Sequence, residues 1–311
     1  MNDLAPIVLF VYARPVHTRR TLEALAANPE AKTSVLYIFA DGPPGGAPAD
    51  LLAKVAEVRK ILRENLWCGQ VRIFESEYNL GLAYSIVKGV TEVVERHSRV
   101  IVLEDDIVVQ PGFLRYMNDA LEIYKDEPRV FQVSGFMVPM RWVWESTGFL
   151  RVSTSWGWAT WSRAWKEFRV DAEAMRDEIL ASEQRKAFDL EGCSFHFDEL
   201  ERNVRGELHT WAVKWYASVF LNKGLCLYPR KPLLLNCGFD GTGVNCHDDN
   251  TGTAVPLATA RNIAIRRISV VESRMFLKAM QRYYIRQFQA WTGTRVSDRI
   301  ARKLRKLILR K

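Results

Sequence analysis

The sequence is poor in the features that would anchor, staple or export it. No stretch of its 311 residues comes near the roughly 20 consecutive apolar side chains that a bilayer-spanning helix needs. Any membrane contact is therefore expected to be peripheral. The opening MNDLAPIVLFVYARP has no basic lead-in, and its apolar run is too short for an export signal. A cytoplasmic protein is the expectation. The five cysteines, Cys68, Cys193, Cys226, Cys237 and Cys246, are odd in number and contain no CxxC pair. A disulfide framework or a structural zinc site would need closer or paired spacing, so reduced thiols are expected. The chain has no internal repeat and no long low-complexity linker. Acid is scarce at one end: from Arg274 to Lys311, Asp298 is the single acidic residue.

What is present is ordinary for a globular protein. Hydrophobic residues make up 48% and charged residues 26%, which excludes disorder as the main state. The length suits one large domain, or one domain with an appendage. The net charge of +8 comes largely from the tail and leaves the body near neutral. Basic excess alone does not choose between nucleic acid, a membrane surface and no partner.

The first half alternates two periodicities. Pro6–Tyr12 is a continuous apolar run that suits a strand buried on both faces. A helical stripe follows over Thr18–Ala27, and a second buried strand over Ser34–Ala40. Leu51, Leu52, Val55, Val58, Ile61 and Leu62 recur at helical spacing. Val71–Phe74 is expected as a strand, Leu82–His97 as a helix, Arg99–Leu103 as a strand, Gly112–Asp126 as a helix and Arg129–Val133 as a strand. Such alternation implies βαβ crossovers and an α/β fold with a mostly parallel sheet. Ligands bind beyond the carboxyl ends of the strands of such sheets. That rule alone gathers Arg14, Asp41, Asn79 and Glu104–Asp106 along one edge.

The second half is less regular. Six tryptophans crowd Met140–Trp165 without clean periodicity. Phe195–Phe220 is helical in part, Leu225–Leu235 is a strand interrupted by prolines, and Gly238–Gly252 is a polar, glycine-rich loop.

Three adjoining acids, Glu104-Asp105-Asp106, end an apolar strand. Like charges at that spacing repel, and a buried strand end removes their water. A hard divalent cation with oxygen ligands offsets both costs; an exposed acidic turn would also accommodate the sequence. Arg14 suits a phosphate contact or a plain surface. Asp41-Gly42 suits a hydrogen bond to a base or ribose, or an ordinary Asp-Gly turn. Gly81, in Asn79-Leu80-Gly81, permits close backbone approach to a ligand or marks a loop.

The ordered set Tyr12–Arg14, FADG ending at Gly42, YNLGLAYS at Tyr78–Ser85, VLEDD ending at Asp106 and VSGF at Val133–Phe136 resembles the GT-A glycosyltransferases. Within them it is similar to the N-acetylglucosaminyltransferase I type and its bacterial cell-surface polysaccharide relatives. The runs STSWGWATWSRAW, TWAVKWYASVFLNKGLCLYPRKPL and GFDGTGVNC extend the likeness over residues 6–247. The resemblance implies a GT-A, Rossmann-like α/β fold and transfer from a nucleotide sugar, a UDP-sugar, with inversion at the anomeric carbon. It implies Mn²⁺ or Mg²⁺ held by Asp106 with Asp105. It implies nucleotide-sugar contacts from Tyr12, Arg14, Asp41, Asn79, Gly81, Glu104 and Asp105. Ser134, Trp156, Trp158 and Trp161 would flank sugar and acceptor, since aromatic faces stack on apolar sugar faces; filling the core is the competing role. A cation on the diphosphate would stabilise the charge that develops as the glycosidic bond breaks.

A carboxylate or another base is needed near the acceptor hydroxyl. Relatives tend to place an Asp just before the TW pair; here His209 stands there, with Glu207 and Asp240 as further candidates. His247 is a candidate metal ligand or a loop histidine. Residues 1–136 are expected as the nucleotide-sugar half, 137–260 as the acceptor half and 261–311 as a basic helical tail. Ile300, Leu304, Leu307 and Ile308 follow an N-cap at Ser297, with basic residues between them. Such a helix suits anionic lipid at the inner face of the membrane, near a glycan or lipid-linked acceptor; a helix packed on the body is the competing reading, and a nucleic-acid patch is the least favoured. Two alternatives stay open. One is a non-catalytic nucleotide-sugar-binding or scaffold protein, supported by His209. The other is a nucleotidyltransferase, which would need a phosphate-gripping glycine loop that ARPVHTRR lacks.

Overall fold

The computed structural model describes residues 4–138, 140, 145–241 and 263–292, with side chains through 289. His247 and the basic segment 297–311 lie outside the described residues. In chain order the elements are β1 (Ile7–Val11), α1 (Pro15–Ala26), β2 (Val35–Ala40), α2 (Ala49–Ile61), β3 (Gln70–Glu75), α3 (Leu82–His97), β4 (Arg99–Glu104), β5 (Ile107–Val109), α4 (Phe113–Ile123) and β6 (Val130–Ser134). They continue with β7 (Thr147–Leu150), β8 (Trp158–Trp161), α5 (Ser162–Trp165), α6 (Ala172–Ala181), α7 (Arg185–Phe188), α8 (His196–Val204), α9 (Ala212–Leu221), β9 (Leu225–Pro229), β10 (Leu234–Asn236) and α10 (Arg274–Thr292).

Eight strands form one sheet in the order β3-β2-β1-β4-β8-β6-β9-β7. The first four are mutually parallel, β6 and β9 are parallel to each other, and β8 and β7 run against their neighbours. This is the mixed α/β, Rossmann-like arrangement expected from the strand–helix alternation. The cause is visible in β1, where all five side chains of IVLFV are buried. A strand covered on both faces must be apolar at every position, and its neighbours must then be reached by helical crossovers. α3 packs against β1 and β4, and α4 against β6 and β8. Gly89 of α3 lies so close to the Phe10 and Phe39 rings that a Cβ would meet Phe10 at 2.8 Å.

The Trp-rich run hides a central strand. β8 (WATW) is buried at all four positions and lies between β4 and β6. Burial on both faces erases the alternation by which sequence reveals a strand.

The single broken strand expected over Leu225–Leu235 is instead two strands in two sheets. β9 ends at Pro229. The chain then crosses over, and β10 pairs antiparallel with β5, Asn236 opposite Ile107. β5 directly follows the acidic triplet, and its three residues are too few for periodicity to register in sequence. This small ribbon places Cys237–Asp240 against the triplet.

Within the described part of the tail, Arg274–Thr292 forms a packed helix. α10 buries Phe276, Met280, Ile285 and Phe288. Phe276 sits where a side chain on Gly148 of β7 would be, and Glu272 just before the helix pairs with Arg151 at 2.7 Å. No described helix is long and apolar enough to cross a membrane.

Candidate active site at the carboxyl edge of the sheet

The carboxyl ends of β2, β1 and β4 lie side by side, with Val11 opposite Ala40 and Phe10 opposite Glu104. Arg14 follows β1 and is the N-cap of α1, ahead of Pro15. Proline disfavours helical geometry in the residue before it and is itself suited to the first helical position, so the turn ends at Arg14. Its guanidinium reaches across to β4, donating to Asp105 Oδ1 and, at 3.0 Å, to Asp106 Oδ2. Both carboxylates are nearly sealed, with 6% and 9% of their side-chain surface exposed. Thr21 of α1 donates to the Asp105 carbonyl at 2.8 Å, which ties helix to triplet.

Among the described residues, Arg14 is the arginine paired with this acid, and three adjoining carboxyl groups outnumber it. Burial pushes the Asp105 carboxyl up to about 6; Arg14 counteracts it and Asp106 adds to it. Glu104 keeps part of its surface in solvent, yet burial, then Asp106 and Asp105, push its carboxyl up to about 8. Burial works against the Arg14 charge, but Asp105 and Asp106 outweigh it and hold the guanidinium firmly protonated.

The 237–240 loop closes this corner. The Cys237 N–H donates to the Asp106 carbonyl at 2.9 Å. A Cβ on Gly238 would collide with Asp106 Oδ2, so only glycine lets the loop come so near. His17, in the first turn of α1, is 8% exposed; its Nε2 lies 3.1 Å from Asp240 Oδ2 and 3.2 Å from the Cys237 carbonyl. Nothing in the sequence marks His17, or singles out Gly238 within its glycine-rich loop, as part of this corner. Their signal is spatial, since 220 residues separate His17 from Cys237.

A second cluster lies on the β2 side. Asp41 accepts hydrogen bonds from the N–H groups of Gly42 (2.9 Å), Leu80 (2.8 Å) and Gly81 (3.0 Å). Asn79 donates to the Gly42 carbonyl at 3.0 Å. Burial, then the Asp41 charge, raise the Tyr12 hydroxyl above its ordinary value, while a hydrogen bond with Asn79 offsets part of this. Tyr12, Asp41, Asn79 and Gly81 thus meet as one group. Phe39, Asp41, Phe74, Leu80, Ser85 and Lys88 line a groove beside it.

The remaining candidates separate. Ser134 is fully buried at the end of β6, and its hydroxyl bonds Thr154 Oγ1 at 2.7 Å. Trp158 is sealed in the core and stacks on Trp211 at 5.2 Å. Trp161, 4% exposed, donates its indole N–H to the Leu121 carbonyl. Only Trp156 of the three is half-buried, between Phe136 at 4.6 Å and Phe239 at 5.5 Å. Glu207 and His209 are exposed on the turn between α8 and α9, and Glu207 pairs with Arg205 at 2.6 Å. Among the described residues no contact joins these two to the triplet, whereas Asp240 sits on the loop whose Cys237 and Gly238 lie against Asp106 and is itself held by His17.

The donor chemistry of the corner fits a hard cation. Two oxygen-only side chains, Asp105 and Asp106, share one guanidinium in a buried site with surplus acid. Mg²⁺-type sites use one or two carboxylates and take the rest from substrate phosphate and water. Among the described residues, no three His, Cys, Asp or Glu side chains converge on a common point.

No family model matches the chain, and no curated relative does. Among solved structures it is similar to UDP-glucose pyrophosphorylase complexed with UDP-glucose, at 10% identity and a TM-score of 0.37, covering 75% of this chain and 94% of that one. It is also similar to S. aureus TarS, at 17% identity and a TM-score of 0.28, covering 46% of this chain and 24% of that one.

Proposed function

We propose that the chain is a cation-dependent glycosyltransferase that moves a sugar from a nucleotide sugar, a UDP-sugar, onto a hydroxyl of a glycan or lipid-linked acceptor in surface-polysaccharide synthesis. The observation that carries this reading is the meeting of Arg14, Asp105 and Asp106 at the adjoining ends of β1 and β4, closed over by the loop that bears Asp240.

In this reading the nucleoside lies against Tyr12, Asp41, Asn79 and Gly81. Three backbone N–H groups occupy most of the roughly four acceptor positions of the Asp41 carboxylate, which leaves room for about one donor from a base or ribose. Glu104 and Asp105 border the ribose, and Arg14 faces the diphosphate. Asp106, with Asp105, would hold Mg²⁺ or Mn²⁺, which supplies positive charge to the departing diphosphate. Asp240 is preferred as base over Glu207 and His209 because it alone is tied to the residues around Asp106. The acceptor oxygen bonds to the anomeric carbon as that carbon's bond to the diphosphate oxygen breaks. The diphosphate leaves with the electron pair, Asp240 takes the hydroxyl proton, and the anomeric configuration inverts. His17 positions Asp240 for this. The basic segment 297–311 is proposed to hold the enzyme on anionic lipid at the inner face of the membrane; nucleic acid is not a proposed partner.

A release assay tests the reading. The full chain with Mn²⁺ is given a panel of UDP-sugars, and UDP is measured. Release that falls at least about 100-fold in Asp106→Ala is expected; release that is metal-independent and indifferent to that change rejects it. Pyrophosphate from UTP and a sugar 1-phosphate, without UDP release, would establish a nucleotidyltransferase. UDP-sugar binding without turnover would establish a non-catalytic binding protein.

A further inference from the structure

Four rings from four separate stretches of chain converge beside Asp240. Phe136 follows β6, Trp156 precedes β8, Phe239 follows β10, and Tyr283 belongs to α10. Phe136 is the shared neighbour, 4.6 Å from Trp156 and 6.1 Å from Tyr283, and Trp156 lies 5.5 Å from Phe239. The degree of burial sets this group apart from the other tryptophans. Trp158, Trp165, Trp211 and Trp215 are sealed at 0–4% exposure around one another. Phe136 is sealed too, at 3%, but Trp156, Phe239 and Tyr283 all keep part of their surface open. They pack on the edge of the core with one side left open.

The group therefore has a buried floor, Phe136, and three partly open rings, and it adjoins Asp240 through Phe239. It also has a polar edge: Gln287, one turn along α10, donates to the Tyr283 hydroxyl at 2.7 Å. A partly open aromatic surface with polar groups at its rim suits a ligand with one apolar face and polar edges. A pyranose ring is such a ligand, since its axial C–H groups form a face and its hydroxyls a rim.

We infer that Trp156, Phe239 and Tyr283, set on Phe136, form the subsite for a pyranose ring of the acceptor, and that α10 is a wall of this site. The inference rests on the glycosyltransferase reading, because it is Asp240 as base that makes the neighbouring surface the acceptor side. A ring seated on Trp156 presents its hydroxyls toward the loop that carries Asp240. Tyr283 gives the tail a function in the body of the enzyme, apart from any lipid contact of the segment after it.

Saturation-transfer NMR on the full chain with methyl β-D-glucopyranoside and methyl N-acetyl-β-D-glucosaminide as probes, and sorbitol as an acyclic polyol control, reads the subsite directly. The expected result is transfer to ring C–H protons of at least one glycoside and none to sorbitol. Trp156→Ala and Tyr283→Ala should each reduce it at least fivefold, with Trp156→Phe retaining most of it. UDP binding by calorimetry, run on the same samples, should be equal in all variants, which also shows that they are folded. Glycoside signals that survive both alanine changes, or no glycoside signal at millimolar probe in wild-type protein that binds UDP, overturn the inference. Failure of wild-type protein to bind UDP with Mn²⁺ counts against the donor site instead, and the glycoside signal still judges the subsite by itself.

Discussion

His17 reaches Asp240 across 223 residues of sequence, its Nε2 3.1 Å from Asp240 Oδ2 and 3.2 Å from the Cys237 carbonyl. Both partners of this nitrogen are acceptors, so Nε2 must carry a proton, in the neutral imidazole or the charged one. His17 is thus a donor here and cannot itself take a proton at Nε2 from a substrate hydroxyl. It fixes the orientation of Asp240, a positioning role. Asp240→Asn should lower transfer at least 100-fold. His17→Phe should lower kcat about 10–100-fold with donor KM within threefold, and His17→Gln, which keeps an N–H donor, should recover part of the loss. Steady-state kinetics with the donor varied decide it. Equal damage to kcat and donor KM in both His17 variants would indicate a general structural role.

Arg14 is the one guanidinium shared by Asp105 and Asp106. Removing one partner of a nearly buried ion pair leaves charge uncompensated, at a cost of about 3 kcal/mol. Arg14→Ala should lose roughly that much in urea unfolding under EDTA. Millimolar Mn²⁺ should return part of it, because a cation bound by the native carboxylates adds its binding free energy to folding. Equal stability with and without Mn²⁺ in the variant would argue against a cation at this corner.

The acid surplus has a pH signature. Glu104 titrates near 4.5 when unfolded and about 8 when folded, and Asp105 near 3.8 and about 6. Across those intervals the native state holds more protons than the unfolded one, so unfolding becomes easier as pH rises. Stability from these groups is complete below about pH 4 and is lost progressively toward about pH 8. The melting temperature of metal-free protein should fall from pH 5 to pH 8, and Glu104→Gln should flatten the fall. Calorimetric melting over this range is the check; a variant with the wild-type slope would refute the assignment.

The tryptophans divide into two thermodynamic classes. Trp158 is wholly buried against Trp211. Trp158→Ala should cost about 3–5 kcal/mol through the cavity it leaves. Trp156→Ala, at a half-open position, should cost less than half as much while impairing transfer. Denaturant curves for both variants, read beside activity, test the division.

The strand ends were readable because position follows from pattern. Once Pro6–Tyr12 and Arg99–Leu103 were recognised as buried parallel strands, Arg14 and Asp106 had to share an edge. The tryptophan run was opaque for the opposite reason. β8 is covered by tryptophans at Trp158 and by α4 at Trp161, so its sequence shows no alternation, and Trp158 looks no different from Trp156. The base is ambiguous in sequence because β5 and β10 are three residues each, and it is their pairing that sets Cys237 and Gly238 on Asp106 and carries Asp240, two residues on, to His17. His209 was attractive by its place before the TW pair, yet it sits on an exposed turn. In sequence the basic charge of 261–311 hides which face of α10 is covered; its buried Phe276, Met280 and Ile285 show that its apolar stripe faces the body.

The central claim is that Asp106, beside Asp105, binds a divalent cation jointly with a nucleoside diphosphate. Electron paramagnetic resonance of Mn²⁺ titrated with the full chain measures this directly. Adding UDP should diminish the free six-line signal beyond what UDP does without protein, and Asp106→Ala should restore it. A signal that UDP and wild-type protein leave unchanged, or that Asp106→Ala diminishes as fully as wild type, would contradict the account.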